Sequence, residues 1–112
     1  MMDGVLIDRE RVADTVSKSM IVATCRIELY IPESNSLKSK RKVIKSLKDQ
    51  VRNKFNVAIA EVDLQDLWQR SILGIVTLSN DKKQVDATLA RVISFMERTD
   101  LAIIGHYEIE VW

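Results

Sequence analysis

Residues 20–31 read MIVATCRIELYI. Ile21, Ala23, Cys25, Ile27, Leu29 and Ile31 form one series, and Val22, Thr24, Arg26, Glu28 and Tyr30 form the other. Apolar residues recurring every second position belong on one face of a half-buried strand. Pro32 ends it, because a proline has no N–H to give to a sheet. Residues 32–36 (Pro-Glu-Ser-Asn-Ser) supply a turn, with Asn35 or Ser36 placed to cap a helix. Past the turn the period changes from two to three or four. Leu37, Ile44, Leu47, Val51 and Phe55 lie on one stripe, and Arg41 fills the phase between the first two. The expectation is a helix with a single apolar stripe and a basic outer surface.

The same reading carries to the end of the chain. Residues 56–64 are expected as a second strand, with Val57 and Ile59 alternating with Ala58 and Ala60, and Glu61 and Asp63 in phase with Val57. Residues 65–69 make a short connection. Residues 70–79 form a third strand, apolar on both faces and therefore central. Asp81 with Gln84 resembles a capping box, and Val85, Leu89, Val92 and Met96 give the inner stripe of a second helix. Thr99 and Asp100 break it. Ile103, Gly105, Tyr107, Ile109 and Val111 alternate with His106, Glu108, Glu110 and Trp112 in a last strand. The order β-α-β-β-α-β, with right-handed crossovers, puts both helices on one side of a four-stranded antiparallel sheet. This is the α+β plan called ferredoxin-like. The bare sheet face is expected to carry Arg26, Glu28, Tyr30, Glu61, Asp63, His106, Glu108 and Glu110, an acidic surface opposite a basic helical one.

At 112 residues the chain is one domain, large enough to bury about two thirds of its unfolded surface without staples. Residues 20–112 form that domain. Residues 1–19 are polar and weakly periodic. They are expected to be a poorly ordered leader preceding a natural start at Met20, or a short helix placing Leu6, Val12 and Val16 on a neighbouring subunit. No apolar run approaches the ~20 residues that span a bilayer, and the first residues lack a secretion pattern. Cys25 is the only cysteine, so no internal disulfide and no cysteine metal cluster can form. A reducing, cytoplasmic setting fits, with Cys25 an inert core residue.

The charge distribution is the strongest functional signal. Residues 38–54 hold eight bases and one acid, a net +7 in a chain whose total is +1. Cations in the first turns of a helix oppose its dipole by ~0.3–1 kcal/mol each. Lys38–Lys42, Arg41–Lys45 and Lys48–Arg52 are like-charge pairs at i, i+4, each costing roughly 0.2–0.5 kcal/mol. Local rules broken without compensation point to a partner. Lys38, Arg41, Lys42, Lys45, Lys48 and Arg52 are therefore candidate contacts to RNA or ribosomal phosphates. The competing explanation is a solvated face, or one that pairs with the acidic sheet face of another subunit in a homo-oligomer. Base stacking on the sheet is disfavoured, because the third strand has no aromatic residue and the open face is acidic.

Trp68 lies in the connection between the second and third strands, flanked by Asp63, Gln65, Asp66 and Arg70. The group reads as a polar junction at a core edge or a subunit contact. A small-molecule pocket there is the remaining reading. His106 shares its strand phase with Glu108 and Glu110, but zinc would want more nitrogen or sulfur ligands. The three glycines form no phosphate-cradling cluster. No catalytic residue, metal, cofactor or small-molecule substrate is expected, and no membrane partner.

Two stretches carry a family resemblance. Ser36-Leu37-Lys38-Ser39-Lys40-Arg41 is one, and the run from Phe55 through Asp63, Gln65, Asp66 and Trp68 to Arg70 is the other. At this separation they resemble the YlxP-like family of small bacterial proteins, over residues 20–112. The resemblance implies a ferredoxin-like fold and carries no established activity. It also implies a setting beside translation factors, since members are commonly encoded next to an initiation factor and a ribosome-binding factor.

Overall fold

The computed structural model describes residues 20–112; the expected leader, residues 1–19, lies outside the described residues. The chain runs β1 (Ile21–Tyr30), α1 (Leu37–Lys54), β2 (Ala58–Asp63), β3 (Arg70–Ser79), α2 (Lys82–Glu97) and β4 (Ile103–Val111). All three strand pairings are antiparallel, in the order β2-β3-β1-β4. The fold is ferredoxin-like, and β3 is central, as its two apolar faces require.

One core forms between the sheet and both helices. Ala23, Cys25, Ile27 and Leu29 of β1 and Leu73 and Ile75 of β3 meet Ile44, Leu47 and Val51 of α1 and Val85, Leu89, Val92 and Met96 of α2. Phe55 and Phe95 close one end edge to face, with ring centres 5.9 Å apart. Ser36 caps α1 by accepting from the Ser39 N–H at 3.0 Å. Asp81 caps α2, accepting from Lys83 rather than from the Gln84 partner of a capping box.

Two bulges change which side chains face the helices. In β2 the register slips between Glu61 and Asp63. Glu61 stays in phase with buried Ile59 and points to the helices, so its expected place on the open face is corrected. Beyond it, the extra residue Val62 is exposed, and Asp63 reaches Arg26 across the open face. The second slip falls opposite Glu28 in β4. It breaks the expected single phase of Ile103 and Gly105 with Tyr107. Ile104 packs on the core instead, Ile103 is exposed, and a Cβ on Gly105 would lie 3.0 Å from the Tyr30 ring.

Burial pushes the Cys25 thiol from its ordinary 9.0 up to about 11. The neutral form is favoured in the fold, so its contribution to stability is whole below pH 9 and is lost as pH rises through 11. Native protein at pH 8 is expected to resist a thiol reagent, with labelling limited by opening of the core. A rate equal to that of a free thiol would contradict this placement.

Candidate nucleic-acid interface

The apolar stripe of α1 is built as Leu37, Ile44, Leu47 and Val51, but the residue that fills its phase is Lys40 and not Arg41. Lys40 is 1% exposed, whereas Arg41 is exposed. A lysine can lie there only because its charge is met. Nζ is 2.9 Å from Glu61 Oε2 and also donates to the Leu64 carbonyl. Glu61 in turn accepts from Ser71 Oγ at 2.6 Å, and Ser71 is itself fully buried. Glu61 points inward because it keeps the phase of buried Ile59, and the bulge in β2 begins only after it. Leu64 adopts a left-handed conformation (φ 59°) at the strand end that supplies the carbonyl. This cluster clamps the first half of α1 to the β2–β3 hairpin. Sequence reasoning counted Lys40 among the eight bases of the run, left it out of the candidate phosphate contacts, and gave the place in the stripe to Arg41. The available signal was its spacing, four residues before Ile44 and seven before Leu47, together with a carboxylate in the inner phase of β2.

The outer face of α1 keeps the cations. With 3.6 residues per turn, Lys38, Arg41, Lys42, Lys45 and Arg52 fall within about a third of the circumference, with Lys48 at its margin. The stripe is about 21 Å long, at 1.5 Å per residue. Asp49 is the one acid on it, 2.7 Å from Lys45 and 3.3 Å from Arg52. The hydrogen bond from Lys45 and the surrounding positive charge hold the Asp49 carboxyl below the usual range. Arg52 also donates to the Ile59 carbonyl at 3.2 Å, which fixes the end of the stripe to β2. Among the described residues, Lys38, Arg41, Lys42 and Lys48 make no ion pair. Lys54 turns away and lies 4.8 Å over the Phe95 ring. The first turn of the helix contains no acid.

The residues expected around Trp68 do not converge. Asp63 pairs with Arg26 at 3.5 Å, and Arg70 pairs with Glu28 at 3.6 Å while stacking on Tyr30. Gln65 and Asp66 are exposed. Trp68 is 52% exposed, so it is not a core-edge cap, and the polar group around it is not buried within one chain. Gln69 does the stapling here. It donates to the carbonyls of Pro32 and Ser34, both at 3.1 Å, and so ties the hairpin to the turn before α1. On the open face, His106 and Glu108 lie 3.2 Å apart, both exposed.

Residues 22–109 match a family model described as a protein of unknown function, DUF503. The chain belongs to the DUF503 family. The uncharacterized protein YlxP of Bacillus subtilis is 39% identical over 77 residues, which cover 69% of this chain and 84% of that protein. Two solved structures share parts of the chain path. The de novo designed protein Foldit4 is 15% identical with a TM-score of 0.48, covering 83% of this chain and 96% of its own. A C-terminal segment of the alpha subunit of aIF2 from Pyrococcus abyssi is 13% identical with a TM-score of 0.47, covering 92% of this chain and 55% of that segment. At these values neither match informs what the DUF503 chain does.

The cost of the cation stripe can be measured. In Lys38→Glu a carboxylate replaces a cation at the second helical position and stands four residues before Lys42, the favoured orientation of an ion pair. The two gains together are about 1 kcal/mol. For a domain of this size that is a rise in Tm of roughly 4–8 °C. Unchanged or lowered thermal stability would show that the stripe carries no strain.

Proposed function

We propose that this protein is a non-enzymatic accessory factor that binds RNA or the ribosome through the outer face of α1. The observation that carries the reading is the stripe of Lys38, Arg41, Lys42, Lys45, Lys48 and Arg52, with Asp49 as its sole counter-charge along the helix. Phosphates would supply the missing anions. They would also release condensed counterions, so affinity falls with salt and depends little on sequence. A helix anchored through Lys40 and Arg52 presents those cations without ordering a new segment on binding. The family's unknown function leaves this reading to experiment.

The test is recovery of tagged full-length chain from lysate in low salt, with and without nuclease. Ribosomal RNA in the bound fraction, lost on nuclease treatment, supports the reading. A bound fraction without RNA, or one indifferent to nuclease, refutes it.

A further inference from the structure

The sheet face away from the helices carries the expected Arg26, Glu28, Asp63, Glu108 and Glu110, and exposed apolar side chains besides. Toward the Tyr30 end, charges are matched within the chain, Arg26 to Asp63 and Arg70 to Glu28. Toward the Met20 end, Leu78 is 56% exposed and Trp112 71%, with Met20 and Val76 also exposed and Glu110 beside them on β4. Beside them the small residues Ala58, Ala60 and Gly74 leave a trough of about 440 Å³ that runs across the face, from β2 and β3 past Thr24 and Arg26 of β1 to Glu108 and Glu110 of β4.

We propose that this face is the docking surface for a second copy of the chain, with Trp112 of each copy packed on Val76 of the other, beside the trough. Area is the first reason. Four strands at ~4.8 Å and ten residues at ~3.3 Å give a face of roughly 600 Å² in projection, and side-chain relief adds to it. The whole face, its charged end included, approaches the ~800 Å² per partner of a stable interface.

Shape is the second reason. The strand order β2-β3-β1-β4 puts Trp112, one residue past β4, and Ala58 and Ala60 of β2 at opposite edges of one face. A two-fold axis along the strands, between β3 and β1, carries β1 of one copy over β3 of the other. The indole beside Thr24 then meets Val76 of the other copy twice, as an isologous contact demands, while Glu108 and Glu110 of the edge strand lie at the rim over Ala60 and Ala58. Trp112 is already held over the face. Its N–H bonds the Val22 carbonyl at 2.7 Å, and its indole nitrogen lies 3.4 Å from Thr24 Oγ1. Thr24 pairs with Val76, which pairs with Ala58, so the indole sits level with the trough.

The chemistry of the face disfavours RNA, because Glu108 and Glu110 rim the trough and Arg26 is engaged by Asp63. This inference does not rest on RNA binding, since α1 lies on the far side of the sheet. In the dimer both basic stripes stay on the outside, facing opposite ways.

The experiment is sedimentation equilibrium of the full chain at micromolar concentration. The expected mass is twice 12.8 kDa. Leu78→Lys, at an exposed position, should weaken association by about a hundredfold or more by placing an unpaired ammonium in the contact. Leu101→Lys, exposed but off this face, should leave the mass at two chains. A second readout needs no folding assumption about Leu78. In Trp68→Phe, emission from Trp112 should shift to the blue and lose quencher access as concentration rises. A wild-type protein of one-chain mass, a Leu78→Lys variant that associates like wild type, or a Trp112 signal independent of concentration would each overturn the proposal.

Discussion

Glu61→Ala is expected to cost about 3 kcal/mol of folding stability, the low end of the ~3–5 kcal/mol for breaking a buried ion pair. Lys40 would keep only the Leu64 carbonyl while remaining cut off from water, and Ser71 would lose its acceptor. The low end applies because the Glu61 side chain is 17% exposed, so solvent partly replaces it. For a domain of this size the change lowers Tm by roughly 12–24 °C. Glu61→Gln keeps an acceptor for both partners and should lose only about 1–2 kcal/mol. Removing both charges, in Lys40→Met with Glu61→Leu, should recover most of the loss, since a well-packed apolar pair replaces a buried ionic one at little or no cost. Chemical denaturation of the four proteins measures all of this. Single and double variants of equal stability would show that the buried ammonium is not held by Glu61.

The second large effect concerns binding. Arg41→Glu with Lys42→Glu is expected to abolish co-sedimentation with ribosomes at physiological salt. Each lost phosphate contact removes about 0.7–0.9 from the slope of log affinity against log salt, so the pair removes roughly 1.4–1.8. Each reversal also adds repulsion. Both positions are exposed and without an ion partner among the described residues, so the fold should be untouched. The binding readout, taken with unchanged folding, separates the two accounts of the stripe. Cations kept for a partner give a variant that folds at least as well as wild type and does not bind. Cations that are only a solvated surface give a variant that folds and behaves as before.

The element order was legible because each segment obeys one period. The twofold alternation of residues 21–31 and the three-and-four spacing from Ile44 to Val51 each admit a single reading, and the antiparallel plan follows from their order. The strand phase failed at Asp63, which the bulge at Val62 turns to the open face, and at Ile103–Ile104. A bulge adds one residue to one strand, and period-two reasoning has no means of placing it. Glu61 precedes the bulge and keeps the phase of Ile59, so its inward place was legible and was missed, and with it the most consequential cluster of the molecule. Lys40 is four residues from Ile44, but a lysine in a run of lysines reads as surface. Only its meeting with Glu61 and Ser71, which lie far along the chain, makes it a core residue. The cation stripe was legible, because charge and helical spacing are both written locally. Trp68 and the pairing on the open face were not. Whether an aromatic is covered, and whether Arg26 meets Asp63, are settled by neighbours in space.

The burial of Lys40 sharpens the account of the stripe. One cation of the run has a structural task, as do the last two in part, since Arg52 bonds the β2 backbone and Lys54 covers Phe95. Lys38, Arg41, Lys42 and Lys48 have none, and two of them form a repelling pair one turn apart. Their common feature is that nothing within the described fold uses them.

The most direct measurement is the affinity of the full chain for a short RNA hairpin, followed by anisotropy while salt is raised from 50 to 300 mM. Four to six phosphate contacts predict a slope of about −3 to −5 in log affinity against log salt, with Lys38→Glu shallower and more heat-stable than wild type. A flat salt dependence, or equal affinity in wild type and the Arg41→Glu/Lys42→Glu variant, would contradict the claim that α1 is a phosphate-binding face.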